Sequence, residues 1–330
     1  MRSTIRRPGS SLLRKSIIAV LCVAATASGL ALAAKPGGGG TTWTVRLQGA
    51  GDSIMEGYNA SCTGNTSLAD LFCYSGGDQP ENSFFDGTSS AVLSLADRFK
   101  QAGASTTYSK AAAASGSEMV GGSNNFRTQA QAIVSSVRKA SQVKVELGGN
   151  DICNRTSTGT MYTDDQWRTA VRAGLDVLTQ RLPDGSSVVL VGVPRVQDLH
   201  DVGVAKSNGS TRVNCPSFWA TYDVCEIATL DSTFGGEALA VRLEKIATRQ
   251  ARYNAILLEE AMAYNALAAQ TRVEVVAETD GDFATRPEVG SYSFTTTEIN
   301  GGDCFHPSIA GQNKVSEVVW GNDRFTTRPK

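Results

Sequence analysis

Only two histidines occur in the chain of 330 residues, His200 and His306, and they limit the nucleophilic chemistry open to it. A serine or thiol made nucleophilic at neutral pH needs a base titrating near pH ~6.5, the range of imidazole. His306 stands in the run Asp303, Cys304, Phe305, His306, Pro307. A carboxylate three residues away can reach the ring, fix its tautomer and stabilise the imidazolium that forms as a nucleophile gives up its proton. His306 is therefore read as the base and Asp303 as the group that orients it. His200, in Asp198, Leu199, His200, Asp201, reads as a solvated loop histidine that could at most contact a substrate. The nucleophile expected to match is Ser53, in Gly51, Asp52, Ser53, directly after the first predicted strand. The lipase elbow Gly-x-Ser-x-Gly is absent there.

Two further segments could serve an oxyanion. Glu146 to Asp151 (ELGGND) ends a predicted strand in two glycines and Asn150. The glycines let a ligand approach the backbone, and an Asn amide is a neutral donor suited to developing negative charge. The same run also reads as an ordinary strand-end turn. In Ala114, Ser115, Gly116 the backbone N–H of Gly116 could donate to the same oxygen, or the segment could be a plain turn.

Of the seven cysteines, Cys22 falls in the N-terminal head described below. The other six form an even set that an exported chain would pair. Short spacing in turn-rich segments favours Cys62 with Cys73 and Cys215 with Cys225, leaving Cys153 with Cys304 by elimination. Paired cysteines are poor nucleophiles, and no His, Cys, Asp and Glu set has ligand spacing, so neither a metal nor a cofactor is expected.

The elements that must position these residues follow from hydrophobic period. Short apolar runs at Thr44 to Leu47, Val143 to Leu147, Ser187 to Val193 and Val273 to Ala277, with a weaker one at Thr106 to Tyr108, predict five strands. Helical patterns lie between and after them at Ser89 to Lys100, Phe126 to Ala140, Asp164 to Leu182, Leu239 to Ala269 and Pro307 to Trp320. Alternation of this kind predicts an α/β fold, a three-layer α/β/α sandwich around a five-stranded parallel sheet. Two stretches break it, Tyr58 to Gly87 and Val196 to Gly236. Both follow the carboxyl end of a strand, where open α/β sheets place ligands, so they are expected to wall the site. Their Phe72, Tyr74, Phe84, Phe85, Phe218, Trp219 and Tyr222 offer aromatic surface for an acyl chain or a sugar face, or for packing the loops down.

The N-terminus reads as a targeting segment. Arg2, Arg6, Arg7, Arg14 and Lys15 precede an apolar run from Ser16 to Leu32, and Ala31, Leu32, Ala33 supply a small-x-small cleavage site. Residues 1–34 thus predict a secretory signal peptide, 35–41 a Gly-rich linker, and 42–330 one domain. The chain is expected outside the cytoplasm, extracellular or periplasmic, without a stable membrane anchor, as a monomer. Without the five basic residues of the head, the net charge moves from −1 to near −6. That excludes nucleic acid as the main partner, since such binding rewards clustered Lys and Arg. The sequence carries Asn-x-Ser/Thr at Asn59, Asn65, Asn154 and Asn208.

Gly51, Asp52 and Ser53, then Ser115 and Gly116, then Gly149, Asn150 and Asp151, then Asp303 to His306 occur in this order over nearly the whole predicted domain. Together they resemble the four blocks of the SGNH (GDSL) hydrolases. The resemblance implies a flavodoxin-like fold, Ser53 as nucleophile, His306 as base and Asp303 as its orienting partner. It implies an oxyanion hole from the backbone N–H groups of Ser53 and Gly116 with the side chain of Asn150. The Asn that commonly precedes the second-block glycine is replaced by Lys110 to Ala114 (KAAAA). The insertion after Ser53 and the Cys215, Pro216 segment are similar to the lipase and phospholipase B-like branch, which implies lipid esters as substrates. A carbohydrate esterase that deacetylates extracellular glycans is the alternative, and a non-catalytic binding module on the same fold is the alternative of another class.

Overall fold

The apolar runs pair as parallel strands in the computed structural model of the protein, which describes residues 43–64, 77–110, 112–209, 212–278 and 288–323. The chain divides into two units, Met1–Thr41 and Thr42–Lys330. The predicted signal peptide and linker, along with Asn65, Phe72, Cys73 and Tyr74, lie outside the described residues.

The strands are β1 (Trp43–Gly51), β2 (Ala104–Ser109), β3 (Gln142–Glu146), β4 (Ser187–Leu190) and β5 (Glu274–Ala277), in the spatial order β2-β1-β3-β4-β5. All four pairings are parallel. Every residue of β3 and β4 is buried, as a parallel strand covered on both faces requires. The edge strand β2, ASTTYS, is half-exposed, which is why its signal in the sequence was weak.

Helices α1 (Leu95–Gln101), α2 (Phe126–Ser135), α3 (Gly149–Cys153) and α4 (Asp164–Arg181) alternate with the first strands. Three more, α5 (Leu199–Asn208), α6 (Cys215–Tyr222) and α7 (Glu226–Thr229), fill the second insertion. Then come α8 (Leu239–Ala266), α9 (Ala268–Thr271) and α10 (Ile309–Asn322). On one face of the sheet, Ile133 of α2, Val171 and Leu175 of α4 and Ile256 of α8 pack with Val143, Val145, Val188 and Leu190. On the other, Leu95 and Phe99 of α1 and Val315 and Val319 of α10 pack with Val45 and Leu47. The predicted three-layer α/β/α sandwich is the observed architecture.

Starts of the long helices are written in their caps. Thr163 accepts from the backbone of Gln166, whose side chain returns the bond to Thr163, a capping box that opens α4. Asn125, Ser94 and Ser308 cap α2, α1 and α10 in the same sense.

After β1 the chain crosses to β2 on one side of it, then returns to β3 on the other. The loops leaving β1 and β3 therefore diverge, and the crevice between them at the carboxyl ends of the strands is where this class of sheet places ligands. Ser53 follows β1 and Asn150 begins α3 after β3.

The second insertion, which broke the predicted alternation, is helical in part: Asn214 accepts from the backbone of Ser217 and Pro216 occupies the first turn of α6. That helix also overturns two of the expected disulfides. Its eight residues, at 1.5 Å each, carry the chain roughly 10 Å along the axis from Cys215 to Tyr222 before it turns toward Cys225, so closeness in sequence does not bring the two cysteines together. The bonds formed are Cys153–Cys225 and Cys215–Cys304, with Cα–Cα distances of 4.4 and 5.5 Å. Neither the Cys215–Cys225 nor the Cys153–Cys304 pairing occurs. Cys62 is disulfide-bonded, and Cys73, its expected partner, is outside the described residues.

Candidate active site

Ser53, His306 and Asp303 meet in a line. His306 Nε2 lies 2.8 Å from Ser53 Oγ, and His306 Nδ1 lies 2.9 Å from Asp303 Oδ2. Each is held by local chemistry. Ser53 follows the end of β1, where Gln129 of α2 accepts from Gly51 N at 2.7 Å and donates to Gly51 O at 3.0 Å, taking the place of a neighbouring strand. The loop carrying Asp303 and His306 folds around Asp303 itself. Its Oδ1 accepts from Phe305 N, His306 N and Asn300 Nδ2, and its Oδ2 accepts from Asn59 Nδ2 at 2.8 Å. Trp219 Nε1 donates to the Asp303 carbonyl at 3.2 Å from the insertion side.

Burial would raise the Asp303 carboxyl, but the charge of His306 and hydrogen bonds from His306 and Asn59 overcome it and hold the group down at about 2. It is therefore an anion at neutral pH and well into the acid range. An anion on Nδ1 fixes the neutral ring as the Nδ1–H tautomer, leaving Nε2 free to accept the Ser53 proton.

Asn150 sits beside Ser53 at the start of α3. Gly148, at φ +128°, makes the turn into this helix, and a Cβ there would also strike Val193 and Trp167. Asn150 Nδ2 donates to Ser117 O at 3.0 Å and to Asp52 Oδ2 at 3.2 Å. Gly116 has φ +81° with open space where a Cβ would stand. Its loop carries KAAAA in place of the usual Asn and is tied down instead by Asn124, whose Nδ2 donates to Ala112 O and Ser117 Oγ. Asp151 accepts from Met119 N and Val120 N, and burial pushes its carboxyl up to about 7.

Ser53, Asn150 and His306 open onto a cleft walled by Ile54, Pro194, Val196, Leu199, Phe294, Ile299 and Phe305, with Asp52 and Arg195 also among its lining residues. The insertion after β4 contributes Val196 and Leu199 to this wall. The aromatics singled out in the sequence do not form it: Phe84, Phe85 and Trp219 are fully buried packing residues. Phe218 and Tyr222 pair with each other at 4.5 Å along a different groove, beside Gly301 and Gly302.

His200 lies in α5 rather than a loop, between Asp201 Oδ1 at 3.0 Å and Asp231 Oδ1 at 2.8 Å, and does not line the cleft. Among the described residues no group of three His, Cys, Asp or Glu side chains could hold a metal ion.

Comparison with known proteins bears on this geometry. Residues 49–319 match the family model of the GDSL-like lipase/acylhydrolases. The chain belongs to this family. As a GDSL-type protein it is a serine ester hydrolase. No curated protein matches its sequence. Among solved structures, the chain is similar to an active-site mutant of a family two carbohydrate esterase from Clostridium thermocellum, at 12% identity and a TM-score of 0.44, over 86% of this chain and 64% of that one. It is likewise similar to a carbohydrate esterase whose active site displays divergent catalytic and non-catalytic binding functions, at 12% identity and 0.40, over 87% and 71%. A third, from Parabacteroides merdae ATCC 43184 and provisionally named a GDSL-like lipase, gives 11% and 0.35, over 86% and 97%. At these identities and scores the likeness carries nothing about substrate.

Sequence reasoning missed Gln129, Asn59, Asn300 and Asp52 as supports of the site. Asn59 carried a signal that pointed elsewhere. It heads an Asn-x-Ser sequence, yet it is buried and spends its amide on Asp303, so it cannot accept a glycan in the folded protein.

Proposed function

We propose that Ser53 is the nucleophile of an exported carboxylic-ester hydrolase acting on esters of apolar acids, with His306 as its base and Asp303 as the anion behind it. The observation that carries this is the unbroken chain Ser53 Oγ, His306, Asp303 at 2.8 and 2.9 Å, in a family that hydrolyses esters. His306 Nε2 takes the Ser53 proton as Oγ attacks the ester carbonyl, and the Asp303 anion stabilises the imidazolium. The backbone N–H groups of Ser53 and Gly116 and the amide of Asn150 receive the oxyanion, each donor being worth roughly 3 to 4 kcal/mol in such sites. The imidazolium then protonates the leaving alcohol. His306 next activates a water that releases the acid from the acyl-enzyme.

The character of the cleft supports an apolar acyl group. Its wall of Ile54, Val196, Leu199, Phe294, Ile299 and Phe305 offers area for hydrocarbon and few partners for hydroxyls. This favours a lipid ester, as in the lipase and phospholipase B-like branch, over an acetylated glycan. Export is supported by the basic and apolar N-terminal sequence and by the disulfides Cys153–Cys225 and Cys215–Cys304.

A series of p-nitrophenyl esters from acetate to palmitate tests the reading. The expected result is kcat/KM rising from acetate to chains of several carbons, with Ser53→Ala inactive on all of them. Turnover of acetate alone would turn the assignment to a carbohydrate esterase, and no turnover of any ester would point to a binding module.

A further inference from the structure

Beneath the proposed oxyanion site lies a pair of carboxyl groups that the mechanism above does not use. Asp52 leaves β1 immediately before Ser53, and Glu146 ends β3, whose register places it opposite Gly51. Both side chains are buried, with 1% exposure each. Asp52 Oδ1 accepts from Ile54 N at 2.9 Å, and its Oδ2 accepts from Asn150 Nδ2 at 3.2 Å. Both oxygens of the Glu146 carboxyl are out of solvent and without a hydrogen-bond partner, and Asp52 is the charged neighbour that bears on it. Two neighbouring carboxyl groups out of water cannot both be anions, so such a pair retains a proton between them.

We propose that Asp52 and Glu146 are positioning residues that share one proton, and that this proton lets the Asn150 amide turn from Asp52 to the oxyanion. The proposal rests on the assignment of Ser53 and Asn150 above. Nδ2 of Asn150 has two hydrogens. In the resting structure one goes to Ser117 O at 3.0 Å and the other, by the longer bond, to Asp52 Oδ2. A tetrahedral oxyanion must compete with Asp52 for the second. A bare buried carboxylate would hold that hydrogen strongly, because charged acceptors make the stronger bonds. A carboxylate that already receives a proton from Glu146 holds it more weakly. Around Asp52 the other charged group is His306, and around Glu146 it is Asp52 itself. Burial, partly offset by the Ile54 N–H and the charge of His306, moves Asp52 up to about 6. Burial and then the Asp52 charge move Glu146 well above its ordinary value, in the direction that favours a proton on Glu146.

Two substitutions at Glu146 separate this role from simple packing. Glu146→Gln keeps a donor toward Asp52 and cannot ionise, whereas Glu146→Leu keeps the volume and removes the donor. With a p-nitrophenyl ester at pH 7, Glu146→Leu is expected to lower kcat by a factor approaching the ~100-fold that losing one oxyanion donor costs, with KM changed less than about twofold. Glu146→Gln is expected to stay within about threefold of the unmodified protein and to lose the alkaline fall in kcat that deprotonation of the pair produces. Thermal melts of all three check that each is folded. Unaltered kcat in a folded Glu146→Leu, equal losses in the two variants, or an alkaline limb that persists in Glu146→Gln would overturn the proposal. Phosphonylation of Ser53 in the unmodified protein keeps this failure apart from a failure of the active-site assignment, since the latter would abolish labelling before any substitution.

Discussion

Five hydrogen-bond donors converge on the carboxylate of Asp303: Asn59, Asn300, the backbone N–H groups of Phe305 and His306, and the ring of His306. Asp303→Asn would keep the shape, lose the charge and present an amide N–H to Nδ1, so the ring would adopt the wrong tautomer. The expected loss in kcat is about 10³- to 10⁴-fold, measured on the best p-nitrophenyl ester. The same carboxylate ties stability to pH. Its folded value of about 2 lies below its ordinary 3.8, so its contribution is present above pH ~4 and disappears as pH falls through about 2. Urea titrations should show the unmodified protein more stable than Asp303→Asn by ~2 kcal/mol at pH 7, with the gap closing toward pH 2. An equal gap at both pH values would contradict the assignment. At this scale the sequence was legible where chemistry is scarce. Two histidines leave little choice of base, and the Asp three residues before His306 names itself. Asn59, Asn300 and Gln129 were not legible, because Asn and Gln occur in any turn or helix and only their approach to Asp303 and Gly51 gives them meaning.

The elements of the second insertion act on the site from behind. The disulfide Cys215–Cys304 fixes the start of α6 between Asp303 and His306, and Cys153–Cys225 fixes the end of α3, whose first turn carries Asn150. One short stretch, residues 215–225, thus clamps the loop of the base and the helix of the oxyanion amide. Peptide mapping without reduction should recover Cys153 joined to Cys225 and Cys215 joined to Cys304. Recovery of Cys215 joined to Cys225 would contradict the structure. Replacing Cys215 and Cys304 together by Ser removes a closure of 89 residues, with an expected loss of about 4 kcal/mol of stability and a lower kcat, read by denaturant titration and ester turnover. In the cleft wall, Leu199→Trp or Ile299→Trp should shift the preferred acyl chain to shorter lengths, while acetate turnover stays near its original value. The pairing was misread from sequence because proximity along the chain was taken for proximity in space. Eight residues of unforeseen helix were enough to reverse it.

At the scale of the molecule the fold was legible almost throughout, since buried parallel strands such as VKVE and SVVL and amphipathic helices such as α4 and α8 each carry their own period. What the periods did not show was which buried positions are polar. β3 places Lys144 and Glu146 wholly inside, with Lys144 bonded to Asp323 at 2.5 Å and Glu146 against Asp52. Burial raises Asp52 to about 6 and Asp151 to about 7, and it also raises Glu56, Asp86 and Glu278. A raised carboxyl contributes stability that is full below its unfolded value and lost as pH climbs through the folded one. The thermal midpoint is therefore expected to be higher at pH 5 than at pH 8, by calorimetry, and the reverse order would contradict these assignments.

All of this turns on Ser53 being made nucleophilic by His306. The most direct measurement is the intact mass of the protein after treatment with a fluorophosphonate, followed by peptide mapping. The expected result is one phosphonyl adduct per chain, placed on Ser53, lost in Ser53→Ala and strongly slowed in His306→Ala. An unlabelled native protein, or an adduct that survives Ser53→Ala, would contradict it.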